Sequence, residues 1–207
     1  MPVSDAQGGT TTRRARKKAR TRQEIYSAAM KLFMSHGFDA VTLDHICQAA
    51  DVARGTFFLH FPSKDALLGE YARRVTEEVG DALHAHRGTA TEALAVVLTL
   101  LVDRALAQAG LVQLVVREIM AHPQALAENT EQSRGLVELL TVVVRRGQAS
   151  GEFRRNVEPA LGAALVALSY LAIVGEWARH GGRLDLRAAV TQALDVVLKG
   201  ITGGRRS

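Results

Sequence analysis

Residues 42–64 read TLDHICQAADVARGTFFLHFPSK, and this stretch decides the fold. Thr42 opens a helix, because its hydroxyl can accept from the exposed amides of a first turn. Leu43, Ile46, Ala49 and Ala50 recur at helical spacing and mark one buried face. Asp51 and Val52 make the turn, and Asp is among the few non-glycine residues that tolerate the left-handed conformation. A second helix runs from about Ala53 to Leu59. It stops ahead of Pro62, since the residue before a proline avoids the helical region. Ser63 then caps a further helix. Two helices joined by so short a turn form the unit that lays its second helix in the major groove of DNA.

A helix in that groove reads base edges with its leading residues, while its flanks hold the backbone. Arg54 is the best base reader here, because a guanidinium can bond O6 and N7 of a guanine together. Phosphate contact or plain surface charge is the alternative for the same residue. Gly55 has no side chain and lets the backbone approach closely, and Thr56 on the same turn can donate to a phosphate. Thr42 can cap its helix and meet a phosphate as well. Lys64 follows Ser63 at the start of the fourth helix, where a helix N-terminus already favours anions. Phe57 and Phe61 are read as core.

In order, Thr42, Ile46, Ala50, Val52, Gly55-Thr56-Phe57, His60-Phe61, Ser63-Lys64 and Leu67 resemble the DNA-binding segment of TetR-type transcriptional regulators. The detailed likeness covers the leading part of the chain; beyond it only the helical plan agrees. The resemblance implies a DNA-binding repressor and a ligand-binding, dimer-forming second domain. It also implies that Lys64 and His60 grip the DNA backbone. Several residues depart from the pattern. Phe58 stands where the family usually carries a phosphate-binding tyrosine, and keeps the ring without the hydroxyl. Leu59 stands where a second aromatic is frequent, Ala53 at a common serine position, and Asp51 at the usual turn glycine. Cys47 replaces a usual alanine and is read as a small buried residue rather than a redox sensor.

Charge supports DNA as the partner. Residues 1–65 hold ten Lys/Arg against six Asp/Glu, and residues 66–207 hold sixteen against fifteen, so nearly all of the +5 excess lies on the helix-turn-helix half. Residues 13–22, RRARKKARTR, carry seven basic residues and no acid. They read as an arm that tracks phosphates or enters the minor groove, or else as a solvated tail.

The remaining pattern predicts an all-α chain of about nine helices. Residues 1–18 are assigned to a disordered basic arm and 19–79 to a three-helix DNA-binding domain with its motif at 42–61. Residues 80–202 are assigned to a ligand-binding and dimerisation domain, and 203–207 to a frayed tail. Helix 1 is expected from Thr21, capped by Thr21 with Glu24, with Ile25, Ala28, Ala29, Leu32 and Phe33 as its buried stripe. Gly37 closes it. A long helix from Ser63 to about His86, roughly 35 Å, joins the two domains. Thr89 with Glu92 caps helix 5, which Gly110 ends. Helix 6 covers 111–121 and closes at Pro123, and helix 7 runs from Gln124 to Ala149. Pro159 starts helix 8, and Asp185 caps helix 9.

One cysteine allows no internal disulfide, and no apolar leader starts the chain, so a cytoplasmic location is expected. The longest uncharged run, 159–175, falls short of a spanning helix, and no membrane association is expected. The scattered histidines form no metal cluster, and no phosphate loop, nucleophile–base pair or cofactor motif is present. The sequence therefore points away from an enzyme. It points to a homodimeric regulator on a palindromic duplex operator, released by a small apolar inducer. The alternatives are a helical small-molecule-binding protein or enzyme with an incidental basic tail, and an architectural DNA protein without a ligand.

Overall fold

The computed structural model describes residues 8–121 and 135–201. Those residues form helices α1 (Gly8–His36), α2 (Leu43–Ala49), α3 (Arg54–Phe58), α4 (Ala66–Ala85), α5 (Ala90–Ala107), α6 (Ala109–Ala121), α7 (Leu136–Ser150), α8 (Pro159–Arg179) and α9 (Leu186–Ile201). The chain divides into two units between Gly69 and Glu70, within α4 and ten residues ahead of the expected boundary. Glu70, the first residue of the second unit, accepts from Arg73 and Arg74 of the same helix.

In the first unit, α1 is much longer than its expected span. It starts at Gly8, so a disordered arm does not extend through residue 18, and Thr21 lies inside the helix rather than at its cap. Arg, Lys and Ala are good helix formers, and nothing between residues 13 and 22 breaks the run. Residues 1–7 lie outside the described residues. The buried stripe is Ile25, Tyr26, Ala29, Met30 and Phe33, turned one position from the expected one, with Ala28 and Leu32 half-buried. Gly37 ends α1 at φ 78°, and its amide donates to the Phe33 carbonyl at 3.0 Å. The rings of Phe33 and Phe38 then meet at 4.8 Å.

In the second unit, Thr89 and Glu92 form the expected reciprocal cap on α5. The Glu152 carboxylate, from the segment between α7 and α8, adds a second cap by accepting from the amides of Ala90 and Thr91. The chain turns at Gln108, not at Gly110, and α5 and α6 meet at 114°. Gly110 is instead an early residue of α6. Gly135 is extended and opens α7 at Leu136, so no single helix runs from Gln124. The rest of the expected start of helix 7, Pro123 and the tail 203–207 lie outside the described residues. A Cβ on Gly147 would come within 2.3 Å of the Phe153 ring and 2.9 Å of the Ala90 Cβ, so α7 and α5 approach closely because that residue is glycine.

Helix α8 is the centre of this unit and packs on α6, α7 and α9. Its length and composition would let it cross a membrane. One face instead carries the core residues Ala163, Val166, Ala167, Tyr170, Leu171 and Val174. The Tyr170 hydroxyl donates to the Leu101 carbonyl at 3.0 Å, a bond that offsets the cost of burying it.

Candidate nucleic-acid interface

Helices α2 and α3 meet at a turn whose central residue, Asp51, sits at φ 51°, in the left-handed region its residue type tolerates. Thr42 caps α2. Its hydroxyl accepts from the His45 amide at 3.2 Å, and the His45 imidazole accepts from the Thr42 amide. Ile46 and Cys47 carry the buried face of α2, while Ala49 is exposed, against expectation. Burial and the nearby Asp44 carboxylate push the Cys47 thiol up, which fits an inert packing residue. No side chain caps α3 at Ala53. Phe57 and Phe61 are fully buried and anchor the helix.

That anchoring turns the other residues of α3 outward. Arg54 and Gly55 are exposed and Thr56 is half-buried. A Cβ built on Gly55 would meet nothing within 4 Å, so no packing inside the protein calls for glycine there. Phe58 is 51% exposed and Leu59 is 77% exposed. Two large apolar side chains in water beside an arginine suit contact with thymine methyl groups and sugar edges. Arg54 pairs with Asp44 of α2 at 3.2 Å, and both side chains stay largely in solvent.

His60 and Lys64 are held differently from the leading residues. The Arg22 guanidinium of α1 donates to the His60 carbonyl and lies 4.2 Å from the centre of the Phe61 ring. The buried Nδ1 of His60 has no hydrogen-bond partner among the described residues. Burial, then Lys18 and Arg22, push the imidazole toward its neutral form. Lys64 does not simply project into solvent. Its ammonium donates to the carbonyls of Phe38 at 2.9 Å and Val41 at 3.0 Å, and sits 4.1 Å from the Phe38 ring centre. Ser63 caps α4 as expected, accepting from the Ala66 amide at 3.2 Å.

The structure thus brings Arg54, Gly55, Thr56, Phe58 and Leu59 together on one exposed helix, with Thr42 exposed at the start of the neighbouring one. It sets His60 and Lys64 at the end of α3 as partly buried groups. The reading of the sequence missed Arg22 as the residue tying α1 to the end of α3. It was legible only as one of seven cations in a run, and nothing local separated it from the rest. No group of three or more His, Cys, Asp or Glu residues that could hold a metal occurs among the described residues.

An exposed helix offering arginine, glycine and threonine after a tight turn, on an all-helical scaffold, defines a helix-turn-helix DNA-binding protein. The family model "Bacterial regulatory proteins, tetR family" matches residues 25–71, and "Tetracyclin repressor-like, C-terminal domain" matches residues 87–201. The chain belongs to the TetR family of bacterial transcriptional regulators. It is 26% identical over 193 residues to the HTH-type transcriptional repressor KstR2 of Rhodococcus jostii, covering 89% of this chain and 92% of that protein. It is 22% identical over 187 residues to the fatty acid metabolism regulator protein of Bacillus subtilis, covering 86% and 94%. The crystal structure of Thermus thermophilus FadR, a TetR family repressor in complex with lauroyl-CoA, superposes with a TM-score of 0.72 at 25% identity, covering 89% of this chain and 97% of that one.

Proposed function

We propose that the protein acts as a homodimer on a near-palindromic operator and that an apolar or lightly polar inducer releases it. One observation carries this reading: a stripe of leucines left in solvent on α8. Leu161, Leu165 and Leu168 are 57%, 44% and 44% exposed, and they recur at helical spacing on the side away from the α8 core residues. Val196 of α9 is exposed too. Leucines in such a row lower the free energy by meeting a second apolar surface. A second copy supplies one by two-fold symmetry, and two α8–α9 pairs make a four-helix interface. A two-fold protein matches a two-fold operator with half-sites ~34–36 Å apart, or a multiple of that.

Within this reading the DNA contacts are Thr42, Arg54, Gly55, Thr56, Phe58 and Leu59, with His60 and Lys64 completing the backbone grip. The inducer acts through α4, the helix whose residues belong to both units. Lauroyl-CoA, apolar in its acyl chain although charged in its CoA part, is the first inducer to try, because the T. thermophilus relative holds it. A small cavity of about 10 Å³ lies between α5, α8 and α9, lined by Leu98, Val166, Tyr170, Val190, Leu194 and Val197 among others. It is smaller than the ~300–1,000 Å³ usual for ligand pockets, and an acyl chain needs more room.

The test combines assembly with linkage. Light scattering should show a dimer at micromolar concentration, and Leu165→Glu with Leu168→Glu should yield monomer. Lauroyl-CoA affinity should then be measured with and without operator, since an inducer and the operator must weaken each other by the same factor. A monomeric wild type would remove the palindrome, and equal ligand affinities would remove acyl thioesters as inducers.

A further inference from the structure

We infer that the N-terminal half of α1 is a second DNA-contact element, in which Arg14 and Lys18 extend the protein's grip along the phosphate backbone beyond the end of α3. The inference rests on the DNA-binding reading and adds a surface to it.

Arg14, Lys18 and Arg22 stand four residues apart on a continuous helix, so they line one face. The structure fixes where that face looks. Arg22 is bonded to the His60 carbonyl and stacked on Phe61, directly after the exposed helix α3. Lys18 follows one turn earlier on the same face, near enough for its charge to disfavour the His60 imidazolium. Arg14 lies a further turn out, about 12 Å from Arg22 along the axis. A DNA strand held at the end of α3 would therefore meet Lys18 and then Arg14.

The helical form decides between the two ways a basic arm can bind. An α-helix with its side chains is ~10–12 Å across, and the minor groove is ~6 Å wide. An extended arm enters that groove; this helix does not fit. The segment is therefore assigned to phosphates. Its composition fits a polyanion and suits an isolated helix poorly. Cations spaced at i and i+4 repel one another, and positive charge near a helix N-terminus opposes the dipole. From residue 6 to residue 23 no acidic residue relieves that repulsion. Arg20 pairs with Glu24 at 2.7 Å and lies on a different face from Arg14 and Lys18.

The experiment uses the full chain with Arg14→Ala and Lys18→Ala together. Alanine keeps helix propensity, and circular dichroism checks that the helix persists. Binding to a random-sequence duplex of about three turns, ~30 bp, is titrated across a salt series. Loss of two phosphate contacts per protomer should make the slope of log K against log salt shallower by about 3 to 4 for a dimer. The charge-reversed pair Arg14→Glu and Lys18→Glu should weaken binding further. Hydroxyl-radical footprints on the promoter should lose their outer protections and keep the central ones. An unchanged slope with an unchanged footprint, in a variant that stays helical, overturns the proposal. Failure of the wild type to bind any duplex would instead remove the DNA-binding reading itself, so the two failures are distinguishable.

Discussion

The Lys64 ammonium lies 2.9 Å from the Phe38 carbonyl oxygen and 4.1 Å from the centre of the same residue's ring. A side chain placed by sequence on DNA phosphate is thus also a tie between the segment after α3 and the segment between α1 and α2. Hydrogen bonds from a charged donor contribute about 1.5–3 kcal/mol. Lys64→Ala should destabilise the first unit by that order. Amide hydrogen exchange should speed up across residues 38–61, while the second unit keeps its protection. Weaker DNA binding with unchanged exchange would show that Lys64 acts on phosphate alone.

Arg54 is paired before DNA arrives. Its ion pair with Asp44 is exposed, and such pairs contribute at most ~1 kcal/mol, so DNA can break it at little cost. Arg54→Ala should lose about 1–3 kcal/mol at the operator and relax sequence preference. Asp44→Asn should tighten binding, because it removes both a competitor for Arg54 and a negative charge beside the phosphates. A double-mutant cycle on operator DNA separates the two effects. Equal losses for Arg54→Ala on operator and random duplex would make Arg54 a phosphate contact.

Gly55 offers a cleaner contrast. Nothing in the protein would touch a Cβ there, and alanine is a better helix former by ~1 kcal/mol. Gly55→Ala should leave the fold as stable or more stable and still weaken operator binding, because the added methyl meets DNA. A thermal melt and a gel-shift titration give the two readings. A variant that is stabler and binds equally well would show that the backbone at Gly55 stays clear of the duplex.

Glu152 ties the segment between α7 and α8 to the start of α5. Burial raises its carboxyl, but bonds from the amides of Ala90 and Thr91 and from the hydroxyls of Ser150 and Thr91 outweigh that and hold it below the usual carboxylate range. A carboxyl depressed in the folded state contributes stability that is present above its unfolded value, near 4.5, and is lost as pH falls through the folded value. Glu152→Gln should therefore lower stability at neutral pH and flatten the acid side of the stability curve. Denaturant melts across pH 3–7, a span of about four units around that value, would show it. Parallel curves for variant and wild type would assign the cap no electrostatic part.

The helix-turn-helix was legible because each of its signals is local. The Thr42 cap, the Asp51 turn and the Gly37 stop each depend on a few neighbouring residues, and the structure places all three where residue chemistry puts them. Two helix boundaries differ for local reasons. Thr21 has the chemistry of a good cap, but favourable helix formers ahead of it carry α1 back to Gly8. Gly110 reads as a stop, but the turn falls two residues earlier at Gln108. In the site, Arg54, Gly55 and Thr56 are legible from their place on the leading turn of α3, and Phe58 and Leu59 from the family resemblance. The ties made by Arg22 and Lys64 are not, because their carbonyl partners lie 38 and 26 residues away.

His60 should make stability and DNA binding respond to pH in opposite directions. In the free protein, burial first, and then Lys18 and Arg22, hold its value below the ordinary 6.5. The folded state therefore binds the proton less well than the unfolded chain. The stability linked to His60 is present above 6.5 and is lost as pH falls from there through the folded value. A phosphate against the same imidazole favours the charged form, so binding DNA takes up a proton. Operator affinity should rise as pH falls between the value in the complex and the value in the free protein, until unfolding intervenes. His60→Gln should remove that rise while the general salt dependence stays. Affinity measured at fixed salt from pH 8 to pH 6, about two units across the histidine range, gives the slope. Identical slopes for wild type and His60→Gln would place the phosphate away from His60 and leave Lys18 and Arg14 to hold the backbone there.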